Sequence, residues 1–168
     1  TFVNFLQNHD QIGNRPLGER LESLASPRQI EAALAVTLLA PMVPMLFQGE
    51  EWGSTVPFPF FCDFKGDLAD AVRKGRRVEL AWAYAEYGDE VPDALAPSTR
   101  DSAVLDWDGR NAPAARKRLT LVQDLLKIRR QQIVPRLAGA AFGEAHAAIG
   151  AVRAEVDPGV SLSIDAST

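Results

Sequence analysis

Cysteine and histidine are scarce in this sequence, with one cysteine, Cys62, and two histidines among 168 residues. A lone cysteine cannot close an internal disulfide, and no histidine or second cysteine stands near Cys62 at the spacing of a zinc site. The sequence therefore predicts no disulfide framework, no metal site and no cofactor. Such a composition fits the reducing conditions of the cytoplasm.

The sequence also lacks an excess of positive charge and a long apolar run. Its 18 Lys and Arg residues against 22 Asp and Glu residues leave a net charge of −4, which is the wrong sign for a protein that binds nucleic acid. A membrane helix needs about 20 apolar residues, and Pro41, Pro44 and the polar stretch Gln48–Glu51 interrupt the longest candidate. We therefore expect no nucleic acid and no membrane as partners, and nothing indicates an oligomeric state.

What the sequence does contain is a strand, a helix and a second strand in succession. The residues from Thr1 to Asn8 predict a short strand followed by a polar cluster. Ser26 and Pro27 are typical of a helix start, and the helix is expected to reach Pro41. The run from Val43 to Phe47 predicts a buried strand that again ends in polar residues. This order indicates a parallel crossover unit of a (β/α) barrel, which presents polar strand ends to its active-site face.

The remainder of the chain predicts further helices and then a β-hairpin. Gly53 to Phe64 reads as a long aromatic loop, and helices are expected at 67–85 and 114–132, separated by an irregular connector at 87–112. Val152, Ala154 and Val156 alternate with polar residues, as do Val160, Leu162 and Ile164 after the turn-forming Asp157-Pro158-Gly159. This hairpin indicates a second, all-β domain.

Several stretches resemble the α-amylase superfamily. Phe2–Gln11 resembles the motif of barrel strand seven, in which a strand ends in Asn-His-Asp, here Asn8-His9-Asp10. Within the superfamily, the maltooligosyltrehalose trehalohydrolases are similar in four further blocks, and the likeness runs from Thr1 to about Leu137. The four blocks are Ile12–Leu21, Pro44–Trp52 at strand eight, Pro59–Phe64 and Arg129–Leu137.

This resemblance implies a glycosidase that cleaves the α-1,4 bond next to the terminal trehalose unit of maltooligosyltrehalose, an α-glucan oligosaccharide, and releases trehalose. It implies that residues 1–134 hold the last two strands of a (β/α)8 TIM barrel, and that residues 135–168 begin a C-terminal β-sandwich domain. The nucleophile and the general acid of the family lie on barrel strands four and five, which have no counterpart here. The chain opens in a strand-like run without an initiator methionine, so we expect a part of a longer protein. Because the nucleophile and the general acid have no counterpart here, we expect this part to be inactive alone.

Asp10 is the residue for which the resemblance implies a catalytic role. Retaining glycosidases pass through an oxocarbenium-like transition state, and a third carboxylate that binds the sugar's 2- and 3-hydroxyls stabilises the growing positive charge. The alternative is that Asp10 caps its loop by accepting the backbone amides of Ile12 or Gly13.

Five further residues are candidate substrate contacts, each with a structural alternative. His9 can donate to a sugar hydroxyl or be satisfied at a strand end, and Asn8 can contact substrate or hold the bend that carries His9. Glu50 and Glu51 can bind hydroxyls, be solvated or pair with arginine. Trp52 can stack on a glucose ring or belong to the loop core.

The cluster of Phe58, Phe60 and Phe61 has the same two interpretations as Trp52, a stacking platform or loop core. The basic run Arg73–Arg77 is expected to be a solvated helix face. Two other functions stay open. A branching enzyme or other glucan transferase would share the barrel and Asp10, and a noncatalytic carbohydrate-binding fragment would need no complete set of carboxylates.

Overall fold

The computed structural model describes residues 2–138, 142–148, 151–156 and 161–165. The helices are α1 (His9–Gly13), α2 (Leu21–Leu24), α3 (Pro27–Leu39), α4 (Gly66–Glu79), α5 (Ala81–Tyr87), α6 (Pro97–Ser102) and α7 (Pro113–Ile128). The strands are β1 (Val3–Asn4), β2 (Val43–Pro44), β3 (Phe142–Ala148), β4 (Ala151–Val156) and β5 (Ser161–Asp165). Two compact units result: the first comprises Thr1–Leu6, Ala25–Gly53 and Arg110–Thr168, and the second comprises Gln7–Leu24 and Ser54–Gly109. The predicted domain boundary at residue 134 stays a prediction.

The first unit contains the predicted strand, helix and strand. β1 and β2 pair in parallel, with Val3 opposite Val43, and the Met45 amide donates to the Asn4 carbonyl at 2.8 Å. Both strands are shorter than predicted, and the expectation that the second is buried is wrong, because Val3 and Val43 are each 51% exposed. In the described residues this sheet has two strands, so each strand keeps one open edge where its side chains reach solvent.

Helix α3 connects β1 and β2 and confirms the local signals in the sequence. The Ser26 hydroxyl accepts the Gln29 amide, the Gln29 side chain accepts the Ser26 amide, and Pro27 occupies the first turn. Ile30, Leu34 and Leu38, spaced four residues apart, are buried on one face.

Helix α7 packs beside α3 in the same unit and is followed by one π-helical turn, Arg129–Ile133. The buried Arg129 guanidinium donates to three carbonyls at the end of α3 and beyond it, those of Leu38 at 3.0 Å, Ala40 and Met42 at 2.7 Å. Burial lowers the pKa of Arg129. One side chain therefore satisfies carbonyls that the helix end leaves without helical partners.

The three C-terminal strands form an antiparallel sheet in the order β3-β4-β5. Val152 lies opposite Ile164 and Ala154 opposite Leu162, which confirms the predicted pairing. The predicted turn Asp157-Pro158-Gly159 and Val160 lie outside the described residues. The sequence did not predict β3, because Phe142–Ala148 has three alanines, a glycine and no β-branched residue.

The second unit is mostly helical and differs from the prediction in two places. The expected single helix at 67–85 is two helices, because Leu80 leaves helical geometry at φ −103° and ψ 26°. The connector at 87–112 was expected to be irregular, yet it contains α6, which starts at Pro97. A six-residue helix is too short to show an apolar period in the sequence. Residues 54–65 form the predicted loop without regular structure.

The described residues lack two kinds of feature. None of their helices is both long and apolar enough to span a bilayer. Among the same residues, no three His, Cys, Asp or Glu side chains are grouped so that they could hold a metal ion.

Candidate functional site

Asn8, His9 and Asp10 lie in the second unit, where they form the start of a short helix instead of the end of a strand. The Asn8 side-chain oxygen accepts the amides of Asp10 at 2.9 Å and Gln11 at 3.1 Å. The Gln11 side chain accepts the Asn8 amide at 3.0 Å in return. This capping box starts α1 at His9. The prediction of a strand up to Asn8 is therefore wrong, and the Asn8 side chain is used in the cap.

The Asp10 carboxylate is open to solvent beside His9. The His9 Nε2 and Asp10 Oδ1 atoms are 3.2 Å apart, and the two side chains are 69% and 73% exposed. Within the described residues of its unit, the carboxylate accepts neither the Ile12 nor the Gly13 amide, because Asn8 performs the capping. The loop-cap alternative for Asp10 is wrong, and acceptor positions of its carboxylate remain for a ligand.

His9, Asp10 and part of the aromatic loop line a cavity of about 340 Å³. The Phe58 and Phe61 rings meet edge to face with centroids 5.5 Å apart. Phe60 and Phe61 are partly exposed. The residues that line the cavity are His9, Asp10, Gly13, Asn14, Phe58, Pro59, Phe60 and Phe61. The structure therefore brings together two predicted site residues and the predicted aromatic cluster.

Two backbone contacts fix the loop that carries these rings. The Phe58 amide donates to the Gly18 carbonyl at 2.8 Å, and the Cys62 amide donates to the Ala94 carbonyl at 2.8 Å. Gly18 has φ +68°, and a Cβ built there would lie 2.3 Å from the Pro59 nitrogen. A glycine is therefore required both by the backbone conformation and by the close approach of the loop.

Arg76 on α4 contacts residues that line this cavity, and sequence reasoning missed it. Its guanidinium donates to the Gly13 carbonyl and to the Asn14 side-chain oxygen, each at 3.1 Å, and lies over the Phe60 ring at 5.0 Å. Its side chain is 15% exposed, so the prediction of a solvated helix face is wrong at this position. No local signal distinguished it from the other basic residues of the run, because Gly13, Asn14 and Phe60, its partners at the cavity, are distant in sequence.

Glu50, Glu51 and Trp52 lie in the first unit, where they form a 3-10 turn. Glu50 is 1% exposed, and its Oε2 accepts the Phe47 amide at 2.8 Å. The solvated alternative is therefore wrong for Glu50, whereas Glu51 is partly exposed. The Trp52 ring is buried and presents no open face in this structure. Substrate contact by these three residues stays a prediction.

Known proteins resemble this chain over most of its length. The malto-oligosyltrehalose trehalohydrolase of Deinococcus radiodurans is 44% identical over 133 residues, which are 79% of this chain and 22% of the relative. The enzyme of the same name from Saccharolobus solfataricus is 37% identical over 131 residues, or 77% of this chain and 21% of the relative. No protein-family model matches the chain.

The fold has a counterpart in a solved structure. The crystal structure of a candidate alpha amylase from Salmonella typhimurium is 40% identical with a TM-score of 0.79, and the match covers 98% of this chain and 29% of that protein. The resemblance predicted from the sequence motifs is confirmed. The chain is similar to malto-oligosyltrehalose trehalohydrolases and spans about 22% of their length.

Proposed function

We propose that this chain supplies part of the active site of a glycosidase that cleaves the α-1,4 bond next to the terminal trehalose unit of maltooligosyltrehalose and releases trehalose. The names of its relatives support this reaction. The observation that carries the proposal is the cavity in which an exposed carboxylate, an imidazole and three phenylalanine rings meet.

Asp10 has the role of stabilising the transition state. As the bond to the leaving group breaks, positive charge develops on the sugar ring, and hydrogen bonds to its 2-hydroxyl strengthen. The Asp10 carboxylate is exposed and unused by the helix cap, so it is available to accept such bonds. His9, 3.2 Å away, donates to a neighbouring hydroxyl or orients the carboxylate.

The phenylalanine rings provide the apolar part of the site. The C–H faces of a glucose ring are apolar, and flat aromatic side chains match them in shape. Phe60 and Phe61 keep more than a third of their surface exposed. A sugar stacked on either ring would lie in the cavity that Asp10 also lines.

The remaining catalytic groups belong to other segments of the proposed enzyme. In this proposal β1 and β2 are the last two strands of a (β/α)8 barrel, and residues 135–168 begin the β-sandwich. A retaining mechanism uses a nucleophile and a general acid about 5–5.5 Å apart, and these reside on strands that precede this chain. The enzyme acts in the cytoplasm on α-glucan oligosaccharides.

The test is Asp10→Asn in the full-length enzyme. The change keeps size and the backbone cap but removes the negative charge, so turnover should fall on the order of 10²–10³, as for loss of one preorganised stabilising group. Substrate affinity and melting temperature should change little. Asp70→Asn on α4 is the matched control, because that side chain is 84% exposed and its carboxylate lies 3.9 Å from Arg73, outside the cavity.

Two measurements decide the outcome. Near-parental kcat in a folded Asp10→Asn protein would show that Asp10 does not stabilise the transition state. Product analysis separates the hydrolase from a transferase: trehalose and a shortened maltooligosaccharide support the proposal, whereas new glucan linkages without free trehalose contradict it.

A further inference from the structure

We infer that Arg76 is a positioning residue. It fixes the aromatic wall of the cavity, formed by Phe58, Phe60 and Phe61, relative to α1, the helix that carries His9 and Asp10. The inference rests on the proposed function, since the cavity is the proposed sugar site. Arg76 does not line that cavity and is not expected to contact substrate.

The contacts of Arg76 reach both walls. Nη2 donates to the carbonyl of Gly13, the last residue of α1, and Nη1 donates to the side chain of Asn14, the residue that caps the end of α1. The face of the same guanidinium lies over the Phe60 ring. One group therefore connects α4, the end of α1 and the aromatic loop.

The loop depends on such connections more than a helix would. Residues 54–65 have no regular structure, so the hydrogen bonds of a helix or sheet do not fix the positions of their rings. Helix α1 has five residues, and isolated helices shorter than about 12 residues are marginally stable in water. Both walls of the cavity consequently need support from outside themselves, and α4, with 14 residues, provides a longer element on which to anchor them.

The geometry requires arginine in particular. A guanidinium has a rigid planar fork with five donors and a face that stacks on aromatic rings, whereas a lysine ammonium is a point charge on a flexible stem. Arg76 uses the fork for two acceptors near the end of α1, the face for Phe60, and a further contact of 2.8 Å to Glu79 on its own helix. Lysine at this position would not reproduce the fork and the stack together.

The kinetic test compares Arg76→Met, Arg76→Lys and Arg73→Met in the full-length enzyme. Arg73 is the matched control because it lies three residues earlier on α4 and pairs with Asp93 and Asp70 away from the cavity. Displacement of catalytic groups by about 1 Å costs on the order of a hundredfold in rate. We expect Arg76→Met to lower kcat ten- to a hundredfold on that basis, with a smaller change in KM, Arg76→Lys to recover part of the loss, and Arg73→Met to match the parent.

A second test does not depend on activity. Chymotrypsin cleaves after phenylalanine, and Phe60 and Phe61 lie in the loop, so limited proteolysis of the full chain reports how tightly the loop is held. We expect cleavage there to be several times faster in Arg76→Met than in Arg73→Met. If Arg76→Met does not fold, Arg76→Lys, which keeps the charge, carries both tests.

The outcomes separate the inference from the proposed function. If the parent enzyme releases no trehalose, the proposed function is contradicted. The proteolysis result then decides whether Arg76 positions the loop. Trehalose release by the parent together with unchanged kcat and unchanged loop cleavage in folded Arg76→Met overturns the inference alone. Full recovery by lysine would overturn the requirement for the guanidinium fork.

Discussion

Gly18→Ala is the substitution for which the structure predicts the sharpest loss of stability in the second unit. Gly18 has φ +68°, and a methyl group there would lie 2.3 Å from the Pro59 nitrogen and 2.6 Å from its Cα. Separations under 3.0 Å force a shift, and these neighbours are backbone atoms that cannot rotate away. The aromatic loop itself would therefore have to move.

The magnitude follows from a control glycine with a similar positive φ. Gly66 has φ +57°, but a Cβ there would meet no atom within 4 Å. Left-handed backbone costs an L-residue about 1–2 kcal/mol, partly offset by about 0.4–1 kcal/mol from the smaller entropy of the unfolded chain. Gly66→Ala should therefore lower the free energy of unfolding by about 1 kcal/mol. The clash adds about 1–3 kcal/mol, so Gly18→Ala should cost about 2–4 kcal/mol.

Guanidinium denaturation of the two variants tests this reasoning. Trp82 and Trp107 lie in the same unit as both glycines, so tryptophan fluorescence reports its unfolding. If Gly18→Ala costs no more than Gly66→Ala, the loop does not approach Gly18 as closely as described. In the proposed full-length glycosidase, Gly18→Ala should also weaken binding at the proposed sugar site, because the displaced loop carries Phe58, Phe60 and Phe61.

Three further predictions concern capping and charge. Arg129→Met should lower the free energy of unfolding by about 2–4 kcal/mol, because three carbonyl acceptors lose a buried charged donor; a loss under about 0.5 kcal/mol would contradict this. Asn8→Ala should cost about 1 kcal/mol, whereas Asn8→Ser should cost little, since serine also caps helices; equal losses in thermal unfolding would count against the cap. The Lys65 ammonium hydrogen-bonds Asp63 and holds the pKa of that carboxyl below its ordinary value. The stabilisation from this pair should therefore be present above the ordinary aspartate pKa of about 3.9 and vanish as pH falls through the lowered pKa of Asp63. In Lys65→Gln, NMR titration of the Asp63 carboxyl should show its pKa return to the usual range.

The parts of the fold that were predicted are those with local signals. Ser26, Pro27 and the spacing of Ile30, Leu34 and Leu38 all lie within one helix, and α3 follows them closely. The strands β1 and β2 were predicted in the right order but too long, since apolar residues continue beyond the two positions that pair, namely Phe5 and Leu6 after β1 and Met45, Leu46 and Phe47 after β2.

The candidate site was predicted in some of its residues but not in its assembly. Asp10 and the phenylalanine cluster were singled out separately, yet nothing in the sequence indicated that they line one cavity. Their meeting depends on contacts between distant positions, such as Gly18 with Pro59 and Arg76 with Gly13. Long-range contacts of this kind leave no periodic pattern in the sequence.

The short helix α1 is where a local signal was present and overlooked. Asn8 and Gln11 stand three residues apart, which is the spacing of a capping box. On a strand, His9 and Asp10 would point to opposite faces, and His9 would need a bend to face the same side as Asp10. At the start of a helix with 3.6 residues per turn, neighbouring side chains diverge by about 100°. The imidazole and the carboxylate can therefore meet at 3.2 Å and face the same cavity. A carboxylate oriented in this way by its neighbour loses less conformational entropy on binding, which favours the proposed contact of Asp10 with a sugar hydroxyl.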